Sequence, residues 1–223
     1  MSSPFISPGE YVDSDHPAIR ALAATATGPP AERARVLYHE VRDAIAYSTL
    51  PVGRAGSMGD YVRDPETYRA SSVLAAGSGY CVSKAALYTA LCRAAGIPAK
   101  VAFADVRNHH ITGWRLRKAL GTNLFAWHGY SEIQLGGRWI AVTLMFNAPL
   151  CERLGLAPVE FDGETDALLQ PFDHRGRRFF TYGTRHGSFA DVPAEFLTRE
   201  MPRLYPGLDD YRSRAEDVQR AAC

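Results

Sequence analysis

Gly77-Ser78-Gly79-Tyr80-Cys81-Val82-Ser83-Lys84-Ala85-Ala86-Leu87-Tyr88-Thr89-Ala90-Leu91-Cys92-Arg93-Ala94-Ala95-Gly96-Ile97-Pro98 is the stretch whose reading organises the rest of the chain. A Gly-rich approach gives way to an uninterrupted helix-forming run, which Gly96 and Pro98 stop. The pattern predicts a flexible loop, then a helix with the Cys81 thiol on its first turn. At that position the positive end of the helix dipole and the unpaired first-turn N–H groups favour a thiolate. The same N–H groups are donors for an oxyanion formed on an attacked carbonyl. Cys92 lies about 16 Å further along the helix axis, too far to bridge to Cys81. It reads as a small buried hydrophobe.

Outward from this helix, Phe125-Ala126-Trp127-His128-Gly129-Tyr130-Ser131-Glu132-Ile133 reads as a strand carrying a histidine. A thiol on a helix N-terminus and a histidine on a strand are the minimum for Cys–His nucleophilic catalysis. Gly136-Gly137 marks a tight hairpin, and Arg138 to Thr143 is the returning strand. Trp127, Tyr130 and Tyr80 are candidates for the substrate cleft, with core packing as the alternative.

Ala34, Leu37, Val41, Ala44 and Ile45 recur at helical spacing and predict one amphipathic helix over 31–47. Residues 48–64 are Gly-rich and read as irregular, and 66–76 as a short helix delivering the chain to Gly77. Residues 99–106 alternate as a strand, and 107–124 read as a polar, irregular insertion carrying His109 and His110. Asn147-Ala148-Pro149 has the form of a helix N-cap with an early proline. A late amphipathic helix spans roughly 193–204. Helices followed by a run of antiparallel strands indicate an α+β fold. With 223 residues, one domain over 1–223 is expected, its core at about 32–150 and a C-terminal extension at 151–223.

The net charge of +1 gives no general attraction to nucleic acid or to an anionic membrane. The patches Arg115-Leu116-Arg117-Lys118 and Arg175-Gly176-Arg177-Arg178 read as solvated loop charges. The N-terminal residues lack the pattern of a secretion signal, and no apolar run is long enough for a bilayer. Cys81, Cys92, Cys151 and Cys223 are widely spaced without a CxxC, so a cytoplasmic protein with reduced thiols is expected. No His or Cys spacing suits a metal, and Cys151 and Cys223 read as incidental.

The chain resembles the transglutaminase-like superfamily, a branch of the papain-like cysteine enzymes. Its helix motif, Gly-x-Cys opening a helix that ends in Arg-Ala-x-Gly-Ile-Pro-Ala, is matched by Gly79-Tyr80-Cys81 and Arg93-Ala94-Ala95-Gly96-Ile97-Pro98-Ala99. Its strand motif, His-x-x-x-Glu, a hairpin and Trp-x-x-x-Asp, is matched by His128 to Glu132, Gly136-Gly137 and Trp139 to Thr143. The departure is Thr143, which stands where the family's histidine-orienting aspartate is expected. A threonine hydroxyl can bond the ring but brings no charge. Asn147 is the alternative orienter, since its amide carbonyl can do the same.

The resemblance implies a papain-like core and acyl transfer without metal or organic cofactor. Cys81 would attack an amide or thioester carbonyl of a peptide, protein or small acyl substrate. His128 would act as base and acid, with Thr143 or Asn147 orienting its ring. Water as acceptor makes a peptidase or amidase, and an amine makes an amide-forming transferase. A non-catalytic scaffold that keeps the cleft is the competing class. An arylamine-type acetyltransferase fits less well, because the approach to Cys81 lacks its arginine and paired glycines.

Overall fold

A computed structural model describes residues 3–50, 56–110 and 114–212, with 114 and 115 given by their backbone alone. Helices α1 (Pro17–Ala23) and α2 (Pro30–His39) lead through a π-helical turn (Glu40–Ala44) to strand β1 (Ala46–Tyr47). Helices α3 (Met58–Arg63) and α4 (Ala70–Ala76) and strand β2 (Ser78–Gly79) bring the chain to α5 (Cys81–Ala94). Strand β3 (Ala99–Asn108), helix α6 (Trp114–Leu120) and the hairpin of β4 (Leu124–Leu135) with β5 (Arg138–Val142) follow. Helix α7 (Ala148–Leu154), strand β6 (Phe180–Phe189) and helix α8 (Ala194–Leu204) complete the order, before a short 3-10 turn at Pro206–Asp210. Strands β5-β4-β3-β6 form one antiparallel sheet, and α5 packs on β4 and β3. The α+β architecture read from the sequence is the one observed.

Nearly the whole of α5 is buried, which explains why its sequence is apolar on all sides rather than on one stripe. Its polar residues are therefore paired. Thr89 and Ser131 of β4 share a hydrogen bond of 3.0 Å, and Ser131 Oγ donates to Ala85 O. Arg93 donates through Nε to Ala99 O and through Nη1 to Ser7 O, tying the end of α5 to β3 and to the N-terminal segment. Lys84 is wholly buried, and its Nζ donates to Arg42 O (2.9 Å) and Ile45 O (2.6 Å).

That lysine accounts for the first departure from the sequence reading. The helix expected over 31–47 ends at His39, widens into the π turn, and becomes strand from Ala46. Widening frees carbonyls near its end, and Lys84 takes two of them. The loop expected at Gly77 to Gly79 is not flexible, since β2 pairs in parallel with β1 and Ser48 N–H donates to Gly79 O at 3.1 Å. Gly79 is needed for close approach: a Cβ there would lie 2.6 Å from Ser83 Cβ. The 48–64 segment contains α3, opened by a reciprocal Ser57–Asp60 capping box, and the 107–124 insertion contains α6. The expected cap on α7 is present, with Asn147 Oδ1 accepting from Leu150 N–H. Strand β6, from beyond residue 150, supplies one edge of the main sheet.

Candidate active site

Cys81 opens α5 directly after the N-cap residue Tyr80, and is partly exposed. The first capping bond of the helix runs from Lys84 N–H to Tyr80 O, leaving the preceding N–H groups for other acceptors. Backbone N–H groups of Gly129, Val82 and Cys81 itself point at the thiol. Strand β4 reaches this position only because residue 129 is glycine: a Cβ there would lie 2.7 Å from Val82 Cα. These donors favour the thiolate, but burial outweighs them and pushes the thiol up to about 11. The shift runs against the thiolate expected from the helix position.

His128 is 1% exposed, and burial pushes its imidazole down to about 4, disfavouring its charged form. Its Nε2 lies 3.3 Å from Thr143 Oγ1, while its buried Nδ1 has no hydrogen-bond partner among the described residues. Thr143 is held by its own N–H, which donates to Ala167 O at 2.8 Å. Asn147 is not placed as an orienter: its side-chain oxygen is occupied by the Leu150 N–H at the head of α7. The geometry thus joins His128 to Thr143.

Cys81 and His128 border one cavity of about 310 Å³. Tyr80 and Trp127 also line it, with Phe125, Phe146, Leu150 and Leu154 among the apolar walls and Met201, Tyr205 and Leu208 contributed by the C-terminal elements. Tyr130 does not line it, and instead packs with Ala102, Ala104 and Ala141 on the sheet. His109 is exposed, with Nε2 3.0 Å from Thr181 Oγ1, and His110 rests on Phe179; neither borders the cavity. Among the described residues, no group of three or more His, Cys, Asp and Glu is placed to hold a metal ion. Cys81, Cys92 and Cys151 are free thiols. Arg175, Arg177 and Arg178 are exposed, as are Arg117 and Lys118. Cys223 and the side chain of Arg115 lie outside the described residues. No helix among the described residues is long and apolar enough to cross a membrane.

Two residues that the sequence did not single out stand behind His128. Ala104 pairs with His128 and Val106 with Phe125, so Ala126 and Trp127 of β4 face the single residue Asp105 of β3. This bulge puts Trp127 at φ 57°, a left-handed conformation unusual for an aromatic residue. Asp105 Oδ1 accepts from the Trp127 N–H at 3.2 Å and lies 2.6 Å from His186 Nε2. The indole is stacked on the His186 ring and packed against Phe196. Tyr205 adds a further tie by accepting from the Ala126 N–H and donating to Leu124 O.

The sequence matches the transglutaminase-like superfamily over residues 19–144, more than half of its length, and the chain belongs to that superfamily. The antiparallel sheet with α5 against it fits the papain-like fold of that group. Among solved structures, the chain is similar to a protein of Cytophaga hutchinsonii provisionally named a cysteine protease, at 18% identity and a TM-score of 0.43, covering 83% of this chain and 53% of that one. It is also similar to a Parabacteroides distasonis protein provisionally named a protease, at 13% identity and a TM-score of 0.38, covering 63% of this chain and 29% of that one. The chain thus spans about half of the first structure's length and under a third of the second's. No curated protein matches it.

Proposed function

We propose that this chain is a cysteine-dependent acyl-transfer enzyme acting on amide or thioester carbonyls. The observation that carries the reading is that Cys81 and His128 border one cavity while Thr143 Oγ1 lies 3.3 Å from His128 Nε2 and Nδ1 has no partner among the described residues. Burial disfavours the charged form of both groups, which supports general-base catalysis over attack by a preformed ion pair. Nδ1 of His128 takes the thiol proton as sulfur bonds to the carbonyl carbon. The N–H groups at the head of α5 stabilise the tetrahedral oxyanion. Collapse expels the amine or thiol leaving group, which takes the proton from His128 and leaves an acyl-thioester on Cys81. Water or an amine then attacks that thioester, giving up its proton to His128, and the thiol is regenerated. Water makes the protein a hydrolase, and an amine makes it a transferase.

The test is product analysis with acyl-amide and peptide donors, with and without added amines, read by mass spectrometry beside Cys81→Ala. Products that need Cys81 are expected, and the acceptor incorporated decides between hydrolysis and transfer. A folded Cys81→Ala protein that keeps substantial activity removes Cys81 as the nucleophile. The scaffold reading draws on the raised thiol and on the uncharged Thr143. It predicts that no donor that binds the cavity leaves an acyl group on Cys81.

A further inference from the structure

We propose that the acyl group delivered to Cys81 is uncharged and apolar along its length, a medium-length hydrocarbon chain housed in the cavity beside the thiol; this rests on the acyl-transfer reading. The walls beyond Cys81 and His128 are built from Leu120, Phe125, Phe146, Leu154, Met201 and Leu208. No Asp, Glu, Lys or Arg lines the cavity among the described residues. A charged tail placed there would be desolvated without a partner, at a steep cost. Two polar groups on the wall are engaged by the protein itself, whereas the buried Tyr80 hydroxyl and His128 Nδ1 have no hydrogen-bond partner among the described residues. The Tyr205 hydroxyl is held between Ala126 N–H and Leu124 O, and Asn108 Oδ1 accepts from His110 N–H. A hydrocarbon chain asks nothing of these groups.

Size sets the length. At about 30 Å³ for each water-sized group, a volume of about 310 Å³ holds on the order of ten carbon-sized groups. Each methylene moved from water into such surroundings strengthens transition-state binding about fourfold. Reactivity should therefore climb with chain length and level off near ten carbons, where the cavity is full.

The experiment uses N-acetylcysteamine thioesters with straight acyl chains from acetyl to dodecanoyl, together with the octanoyl analogue bearing a terminal carboxylate. Intact-mass acylation of Cys81 and thiol release are followed, with Cys81→Ala as the blank. The expected result is a rise of about fourfold per methylene up to roughly ten carbons, and at least a hundredfold disadvantage for the carboxylate analogue. Leu120→Trp, which fills the cavity, should move the optimum to shorter chains; the wild-type series stands as a test by itself if that variant does not fold. Cys81 acylated at rates independent of chain length, or faster by the charged analogue, overturns the apolar-acyl assignment and leaves Cys81 as a nucleophile. No acylation of Cys81 by any member of the series overturns the acyl-transfer reading, and this inference with it.

Discussion

Trp127 and His186 stack with ring centroids 4.2 Å apart and planes 9° from parallel, although the two belong to strands separated by β3. They meet because both flanking strands change register at the same place. The β3–β4 ladder shifts between Ala104 and Val106, and the β3–β6 ladder shifts there and just before it. Asp105 of β3, at the centre of these shifts, binds Trp127 through its N–H and His186 through its ring. A left-handed aromatic residue costs on the order of 1–3 kcal/mol and persists only where its surroundings hold it. The residue it precedes is His128.

Asp105→Ala should therefore release the bulge and let His128 drift. A stability loss of about 1–3 kcal/mol is expected, with the turnover number falling more than the Michaelis constant changes. Denaturant titration and single-turnover acylation of Cys81 measure the two effects. Wild-type acylation in a destabilised Asp105→Ala protein would make the bulge a purely structural device.

Thr143 Oγ1 faces His128 at Nε2. With burial holding the imidazole down to about 4, the acid limb of kcat/KM should fall near that pH, and activity should be flat from about pH 5 to neutrality. Thr143→Asp places a carboxylate at Nε2 and should raise the limb by about 1–3 units, with neutral-pH turnover kept or increased. Thr143→Val removes the ring's partner and should lower turnover about tenfold. An unmoved limb in Thr143→Asp, seen in a full pH–rate profile, would mean that another group sets the ring.

Burial of neutral His128 also makes the fold acid-sensitive. The imidazole protonates near 6.5 when unfolded but only near about 4 when folded, so the unfolded state binds more protons between those values. Its contribution is fully present above pH 6.5 and is lost as pH falls toward 4, by about 3 kcal/mol. His128→Gln should remove this slope, which unfolding titrations at pH 7 and pH 4.5 would detect. Equal slopes in the two proteins would show that His128 is not the group responsible.

Lys84→Met should leave the carbonyls of Arg42 and Ile45 without their donor and cost about 1–3 kcal/mol. Burial holds the folded ammonium down to about 7 against 10.5 unfolded, so the wild-type protein loses stability from this group as pH falls from 10.5 toward 7. The variant should lack that slope. Thermal unfolding across pH 7 to 10 separates the two effects, and a variant as stable as wild type at pH 10, where the buried amine is largely neutral, would show the carbonyls to be satisfied otherwise.

What the sequence made legible was local. Cys81 announced itself through a helix start and stop within one segment, His128 through a strand and hairpin, and Asn147 through its cap followed by proline. Thr143 was singled out only through the resemblance, as the residue standing where the family's aspartate is expected. The unread parts depend on partners remote in the chain. Asp105 and His186 are separated by 81 positions and meet only through matched bulges, which leave no periodic signature. The π turn after α2 answers to Lys84, 39 positions beyond Ile45. The glycines before Cys81 suggested mobility, whereas Gly79 is there because Ser83 leaves no room for a Cβ. The upward shift of the thiol was illegible for a related reason: its helix position is visible in sequence, but the walls that desolvate it are not.

Those walls carry a consequence for the lifetime of the protein. Peroxides and electrophilic metabolites consume thiolates, and a sulfur pushed up to about 11 offers almost none at neutral pH. Cys81, unbridged among the described residues, should therefore be slow to form sulfenic acid. On the proposed acyl-transfer reading, the thiol gives up its proton only as a carbonyl arrives to receive the electrons.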